Sequence, residues 1–273
     1  MYWRRLMLHA LLYVSGSMLP KQLQDIAVFE RLSPGQIKRC SESRLKALLL
    51  YAYREIPYYH GVLAEAGVVS DEEVRLENFN RIPVLTRGTI MKENILGRGL
   101  VVNQEANRVY FNWLHGNSLY DPELIMLNTT ISPSLRQRVF NQLCNRTYLS
   151  TDNPGQVVAR INSLKPRSIW SDAEALGKVI GYAKNKPMHS PEFIAVISTV
   201  LAPELREDAE ATFKCPVYHQ YSSEETGPLV ITYSPELNAN YFPWSHCIET
   251  ARGGLLVTTL TKPPLIRYKI EVS

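Results

Sequence analysis

The stretch that most constrains this chain is 193–227, FIAVISTVLAPELREDAEATFKCPVYHQYSSEETG. Residues 193–200 are an apolar, β-branched run and read as a strand. Pro203–Phe213 has helical spacing, with Pro203 suited to a first helical position. Glu204, Glu207 and Asp208 stand in its early turns, where the helix dipole favours acids. Residues 215–220 form a second short apolar and aromatic run. The chain then passes into Tyr221-Ser222-Ser223-Glu224-Glu225-Thr226-Gly227. Strand, helix, strand is the unit from which α/β sheets are built, and a polar loop at the carboxyl end of such a strand is where open sheets place ligands. Periodicity alone also allows a plain surface loop ending in Gly.

The remaining bounds are broad. A chain of 273 residues can form one large or two modest domains, and 45% hydrophobic with 21% charged residues describes a globular protein. The net charge of +4 is not gathered into a basic block, so no nucleic-acid partner is expected. Cys40, Cys144, Cys215 and Cys247 are widely spaced and form no CxxC, which speaks against a zinc site or a disulfide framework. Reduced thiols in a cytoplasmic protein are the simpler reading. The N-terminus, Met1-Tyr2-Trp3-Arg4-Arg5 followed by an apolar run over 6–14 and small residues at 15–17, has the outline of a signal peptide. His9 interrupts the run, which is too short to span a bilayer. An apolar helix packed on the domain is the alternative, with no stable membrane insertion.

Further along, Ser33 and Pro34 open a helix over 33–53, Pro57 ends it, and Gly67 stops a second helix over 60–66. Thr86 begins another short helix reaching Glu93. His115-Gly116-Asn117-Ser118 carries turn chemistry. Residues 121–145 read as a strand or loop and then a helix signalled by Ser132-Pro133. Helices follow over 154–164 and 172–183, the latter with Asp172 as N-cap, and a strand lies between them. Strands are expected over 229–233, 246–249 and 255–260, with Arg252-Gly253-Gly254 as a turn. The fold class is therefore α/β. An N-terminal helical section covers 1–95, a βαβ-built core covers 96–228 and a smaller β-rich piece covers 229–273, all expected to form one compact unit. His219 and His246 lie on strand candidates and read as structural.

Several phrases recur in a telling order. They are Ile56-Pro57-Tyr58-Tyr59, Arg81-Ile82-Pro83-Val84-Leu85-Thr86, Leu201-Ala202-Pro203-Glu204-Leu205-Arg206-Glu207, Cys215-Pro216-Val217-Tyr218-His219-Gln220-Tyr221 and Pro264-Leu265-Ile266-Arg267-Tyr268. In that order they resemble the adenylate-forming (AMP-binding) enzymes, in the branch of phenylacetate–CoA ligase and related capsule polysaccharide biosynthesis proteins. The resemblance implies a protein that activates a small-molecule carboxylate with ATP and Mg²⁺ and passes the acyl group to a thiol, usually coenzyme A. Carried over by position, Tyr221 would lie against the adenine and Ser223 near the phosphates. Glu225 would approach the metal, and Arg267 matches the arginine of the last motif. No catalytic residue is assigned.

The chain also departs from that pattern. Ser222 stands for a Gly and Glu224 for a Thr, an anion where phosphates would come. The ribose-binding Asp falls on Val272, beside Glu271. The phosphate loop is reduced to at most His115-Gly116-Asn117-Ser118, the middle section is shortened, and the family's C-terminal lid domain has no counterpart. The resemblance thus implies a ligase-like protein with impaired or no turnover. A non-catalytic descendant that binds a nucleotide, an acyl group or a protein is the alternative, as is a gene fragment.

Overall fold

The computed structural model describes residues 2–93, 95, 104–129, 132–184, 186–197, 200–223, 225–232 and 240–271. Contacts divide the chain into two compact units. The first comprises Met1–Leu23, Gln104–Ser222 and Val230–Asn240, and the second Gln24–Asn103, Ser223–Leu229 and Tyr241–Ser273.

In chain order the described elements begin with helices α1 (Tyr2–Val14), α2 (Leu19–Phe29), α3 (Pro34–Glu55) and α4 (Pro57–Glu65). Strands β1 (Val69–Ser70) and β2 (Glu73–Val74), a 3₁₀ turn at Leu76–Arg81, and helices α5 (Arg87–Glu93) and α6 (Gln104–Leu114) follow. Then come β3 (Glu123–Leu127), α7 (Leu135–Leu143), β4 (Arg146–Ser150), α8 (Pro154–Leu164), β5 (Ser168–Asp172), α9 (Ala173–Ala183), β6 (Phe193–Ile197), α10 (Pro203–Phe213) and β7 (Val217–Ser223). The last strands are β8 (Gly227–Thr232), β9 (Asn240–Tyr241), β10 (His246–Ala251), β11 (Gly254–Thr259) and β12 (Tyr268–Glu271).

The α/β architecture expected from the sequence is present. One sheet runs β4-β3-β5-β6-β7-β8-β9, and its first five strands pair in parallel. Two of them, β3 (ELIML) and β6 (FIAVI), are near-continuous apolar runs because both faces of the sheet are covered there. On one face Leu124, Met126, Ile169, Ile194, Val196 and Val217 form a core with Val157 and Ile161 of α8, Leu176 and Val179 of α9, and Phe213 of α10. On the other face the Phe111 ring of α6 meets Trp170, Phe193 and Tyr218 edge-on, at centroid distances of 6.0, 5.1 and 5.0 Å. These aromatic contacts hold α6, a helix that periodicity did not single out.

Local signals place most boundaries. Asn153 caps α8 by accepting from Gln156 N at 3.1 Å, and Asp172 caps α9 as expected. Two readings need correction. The cap of α7 is Ser134, which accepts from Gln137 N, while Gln137 returns a bond to Ser134 N at 2.8 Å. That reciprocal box outweighs the Ser132-Pro133 signal. Strand β7 also runs on through Tyr221, Ser222 and Ser223, because ladder pairing beside β8 uses backbone groups and tolerates polar side chains.

In the second unit, Gln36 bonds back to Ser33 N at 2.9 Å at the start of α3, and Pro57 separates α3 from α4. Strands β10, β11 and β12 form an antiparallel sheet. The segment before α5 runs beside β12: Leu85 N donates to Arg267 O at 3.0 Å and Lys269 N to Leu85 O at 2.9 Å. Tyr59, fully buried, donates its hydroxyl to Pro264 O and accepts from Ile266 N at 3.1 Å.

Candidate functional site

In the first unit the strand order creates a switch point. Strand β3 has β4 on one side and β5 on the other, and both follow it in the chain. In open α/β sheets the crevice outside the carboxyl ends of such strands is the preferred ligand position. Here Asp172 occupies it. Its Oδ1 accepts from Ala175 N at 2.7 Å and its Oδ2 from Asn128 N at 2.8 Å. Lys178 Nζ donates to the Asn128 side chain and pairs with Glu174 at 3.1 Å. Asn128 N, Ala175 N and Lys178 at this crevice are thus met from within the protein. Sequence reasoning found Asp172 as a cap and missed Asn128 and Lys178. The polar step from Leu127 to Asn128-Thr129 after an apolar run was the available signal.

Tyr221 ends up at the carboxyl end of β7, half-buried, and burial raises the pKa of its hydroxyl. The 115–118 segment lies at the opposite edge of the sheet. Ser118 lines a water-sized cavity of about 10 Å³ with Glu123, Arg146 and Ser168, which are the first residues of β3, β4 and β5. Gly116 has φ +70°, as a turn requires. His115 donates from Nδ1 to Phe111 O at 2.9 Å, which leaves Nε2 to accept from the Tyr218 hydroxyl at 2.9 Å. The segment is thus a turn, tied back to Phe111 and Tyr218.

Beside that cavity is a buried ionic cluster. Arg146 pairs with Glu123 at 2.5 Å and with Glu105 at 2.6 Å, and Arg108 bonds Glu105. Burial would raise the Glu105 carboxyl, but Arg108 and Arg146 outweigh it and bring its pKa down to about 2. Each charge has an opposite partner, so the cluster reads as structural.

The second unit holds Ser223, Glu225 and Arg267. Ser223 Oγ accepts from Thr226 N at 3.1 Å and meets Thr226 Oγ1 at 2.9 Å, closing a tight turn. His246 supports that turn. Its Nε2 donates to Thr226 O at 2.9 Å, and its Nδ1 meets Ser245 Oγ at 2.8 Å. Burial depresses the His246 pKa to about 4, so the ring is neutral. Within the turn, the Glu225 carboxylate takes a hydrogen bond from the Tyr268 hydroxyl and faces Arg87 Nε at 3.6 Å. Burial and the Glu225 charge push the Tyr268 hydroxyl up to about 12. The Glu225 side chain is 15% exposed and that of Arg87 73%, so the arginine lies on the solvent side of the pair.

Arg267 is engaged elsewhere. Its Nε pairs with Glu249 at 3.2 Å, and Nη1 donates to Asn80 O at 2.6 Å and to Ile82 O. It holds the start of β12, next to Tyr268. The structure therefore joins Glu225 to Tyr268 and Arg87, and joins Arg267 to backbone carbonyls. Glu224 and Val272 lie outside the described residues. Among the described residues no group of three or more His, Cys, Asp or Glu side chains is placed to hold a metal.

No family model matches the chain. The Staphylococcus aureus protein CapK is 21% identical over 307 residues, spanning 94% of this chain and 68% of CapK. A phenylacetate–coenzyme A ligase of Thermus thermophilus is 32% identical over 81 residues, or 30% of this chain and 18% of that protein. Among solved structures, 2-hydroxyisobutyryl-CoA ligase with 2-HIB-AMP in the postadenylation state matches with TM-score 0.61 at 15% identity, over 87% of this chain and 63% of the ligase. The same ligase with 2-HIB-AMP and CoA in the thioesterification state matches with TM-score 0.60 at 14% identity and the same coverage. This chain thus spans less than two thirds of those ligase structures. By sequence and fold together, the chain is similar to the adenylate-forming enzymes, and at 273 residues it is short beside them.

Proposed function

We propose that this chain is a ligase-like protein that binds ATP or AMP, with the turn after β7 as its nucleotide-binding segment. The observation that carries this reading is Glu225, a largely shielded carboxylate held by Tyr268 and covered on its solvent side by Arg87. In the proposal Glu225 takes the Mg²⁺ that accompanies the phosphates, with Arg87 displaced toward solvent. Arg87 is 73% exposed and sits 3.6 Å away, so water can solvate its guanidinium as it leaves, while the Mg²⁺ takes over the shielded carboxylate. Tyr221 offers an aromatic face to the adenine. Ser223 contributes a hydroxyl near the phosphates, and Arg267 acts through β12 by fixing Tyr268. ATP would supply the adenylyl group that activates a small carboxylic acid, and coenzyme A the thiol that accepts the acyl group. The relatives support this reading: one is named for CoA ligation, and the solved ligase carries an acyl-AMP and CoA.

A second reading has its own observation. Ser223 Oγ is committed to Thr226, and Glu225 to Tyr268 and Arg87. A turn satisfied from within suits a descendant that binds a nucleotide or acyl group without turning it over. Calorimetric titration with Mg·ATP tests both. Saturable binding, weakened about tenfold or more by Glu225→Ala and also by Tyr221→Ala, is expected from the loss of one charge-assisted contact or one ring face. Pyrophosphate exchange with a panel of carboxylic acids then separates enzyme from binder. No heat at millimolar ATP from demonstrably folded protein would sink both.

A further inference from the structure

Helix α1 is apolar on two sides. Leu8 and Leu12 point inward and are buried, and the helix packs on α7. At about 100° per residue, Trp3, Leu6, Met7, Ala10, Tyr13 and Val14 fall within an arc of about 120° on the other side. All six are exposed, Leu6 at 72%, Tyr13 at 88% and Val14 at 85%. Singly exposed apolar residues are ordinary, whereas six adjoining ones on a single helix face mark a docking surface.

The charges around this face say what it meets. Arg4 flanks it on one side, with Arg5 and His9 on the other. The first acidic residue of the chain is Asp25, so residues 1–24 carry Arg4, Arg5 and Lys21 with no anion among them. The Arg4 guanidinium lies 5.7 Å from the Trp3 ring centre, and that of Arg5 lies 5.2 Å from the Tyr120 ring centre. Trp and Tyr at the two ends of the apolar face are the ring types favoured at lipid headgroup depth. A second copy of α1 would bring like charges together. An anionic surface meets both the apolar stripe and its basic flanks. Thirteen residues of helix reach about 20 Å, too short to cross a bilayer, and no described helix is long and apolar enough to do so.

We propose that the exposed face of α1 docks the first unit onto an anionic membrane surface, with the helix lying in the headgroup plane. This rests on α1 alone and is independent of the nucleotide reading.

Co-sedimentation of the full chain with phosphatidylcholine vesicles, with and without about a third phosphatidylserine, tests it. Binding to the anionic vesicles is expected, weaker at high salt and about tenfold or more weaker on phosphatidylcholine alone. Leu6→Ser with Tyr13→Ser should reduce it about tenfold or more, since both side chains would leave the lipid. Arg4→Gln with Arg5→Gln should reduce it by roughly fivefold per charge and flatten the salt dependence. Leu6 and Tyr13 are exposed, so the first double variant should keep the wild-type circular dichroism and melting temperature. Trp3 fluorescence should shift to the blue on anionic vesicles, a change missing from Trp3→Phe. No binding to anionic vesicles overturns the proposal, as does binding that survives the Leu6/Tyr13 double variant. So does a wild-type dimer in sedimentation velocity that the same double variant turns into monomer, since a second copy would then cover the face.

Discussion

Tyr59 shows how much one hydroxyl can organise. It is buried in α4, within the Ile56-Pro57-Tyr58-Tyr59 phrase. Packing is only half of its role, because its hydroxyl also bonds Pro264 O and Ile266 N, more than two hundred residues away. Tyr59→Phe keeps the ring and strands two buried backbone groups, which should cost about 1–3 kcal/mol in urea-derived stability. A loss below a few tenths of a kcal/mol would show that water replaces the hydroxyl. Arg267 teaches the same lesson from the other direction. Its match to a family motif was legible in the sequence, but its partners were not. The guanidinium spends its donors on Glu249, Asn80 O and Ile82 O, which no spacing rule connects to position 267. Glu225 was singled out by the family resemblance, whereas Tyr268 and Arg87 as its neighbours became visible only in the folded chain.

At the scale of elements, short-range signals were reliable. Helices α8 and α10 fall on the spans read from periodicity, and the Asp172 cap of α9 is present. The reason is that a capped, one-sided apolar helix depends on residues within a turn or two of each other. Asp172→Ala removes acceptors from both Ala175 N and Asn128 N, so it should cost about 1–2 kcal/mol or somewhat more, beyond an ordinary cap loss. Asp172→Asn should recover part of it, through the oxygen facing Ala175 N. Equal melting temperatures for Asp172→Ala and wild type would refute this account. Helix α6 escaped the sequence reading because its identity rests on Phe111 and its ring contacts with three strands of the sheet. The extension of β7 to Ser223 escaped for a related reason, since a sheet neighbour recruits polar residues that carry no strand signal of their own.

Across the whole molecule, each unit carries its own acid-sensitive group. His246, in the second unit, titrates near 4 when folded against a usual 6.5, so the unfolded chain binds the proton first. Stability should therefore be fully expressed above about 6.5 and fall as pH drops toward 4, by about 3 kcal/mol at most. Glu105, in the first unit, titrates near 2 against a usual 4.5, so its ion pairs stabilise above 4.5 and are lost as pH falls from there. Melting temperatures of wild type and His246→Gln between pH 8 and 3 would separate the two. The variant should flatten the upper window and keep the decline below 4.5, and an unchanged slope above 4.5 would remove His246 from the account. The α/β class, much of the order of helices and strands and the resemblance to adenylate-forming enzymes were readable along the chain. The class and the element order follow from patterns of apolar residues, caps and turns that act over a few positions, and the resemblance from motif phrases in their order. Strand order, the edge of the sheet to which each loop belongs, and the partners of Glu225, Arg267 and His246 were set by folding. They depend on contacts such as that of Arg267 with Ile82, 185 positions apart, which local spacing does not encode.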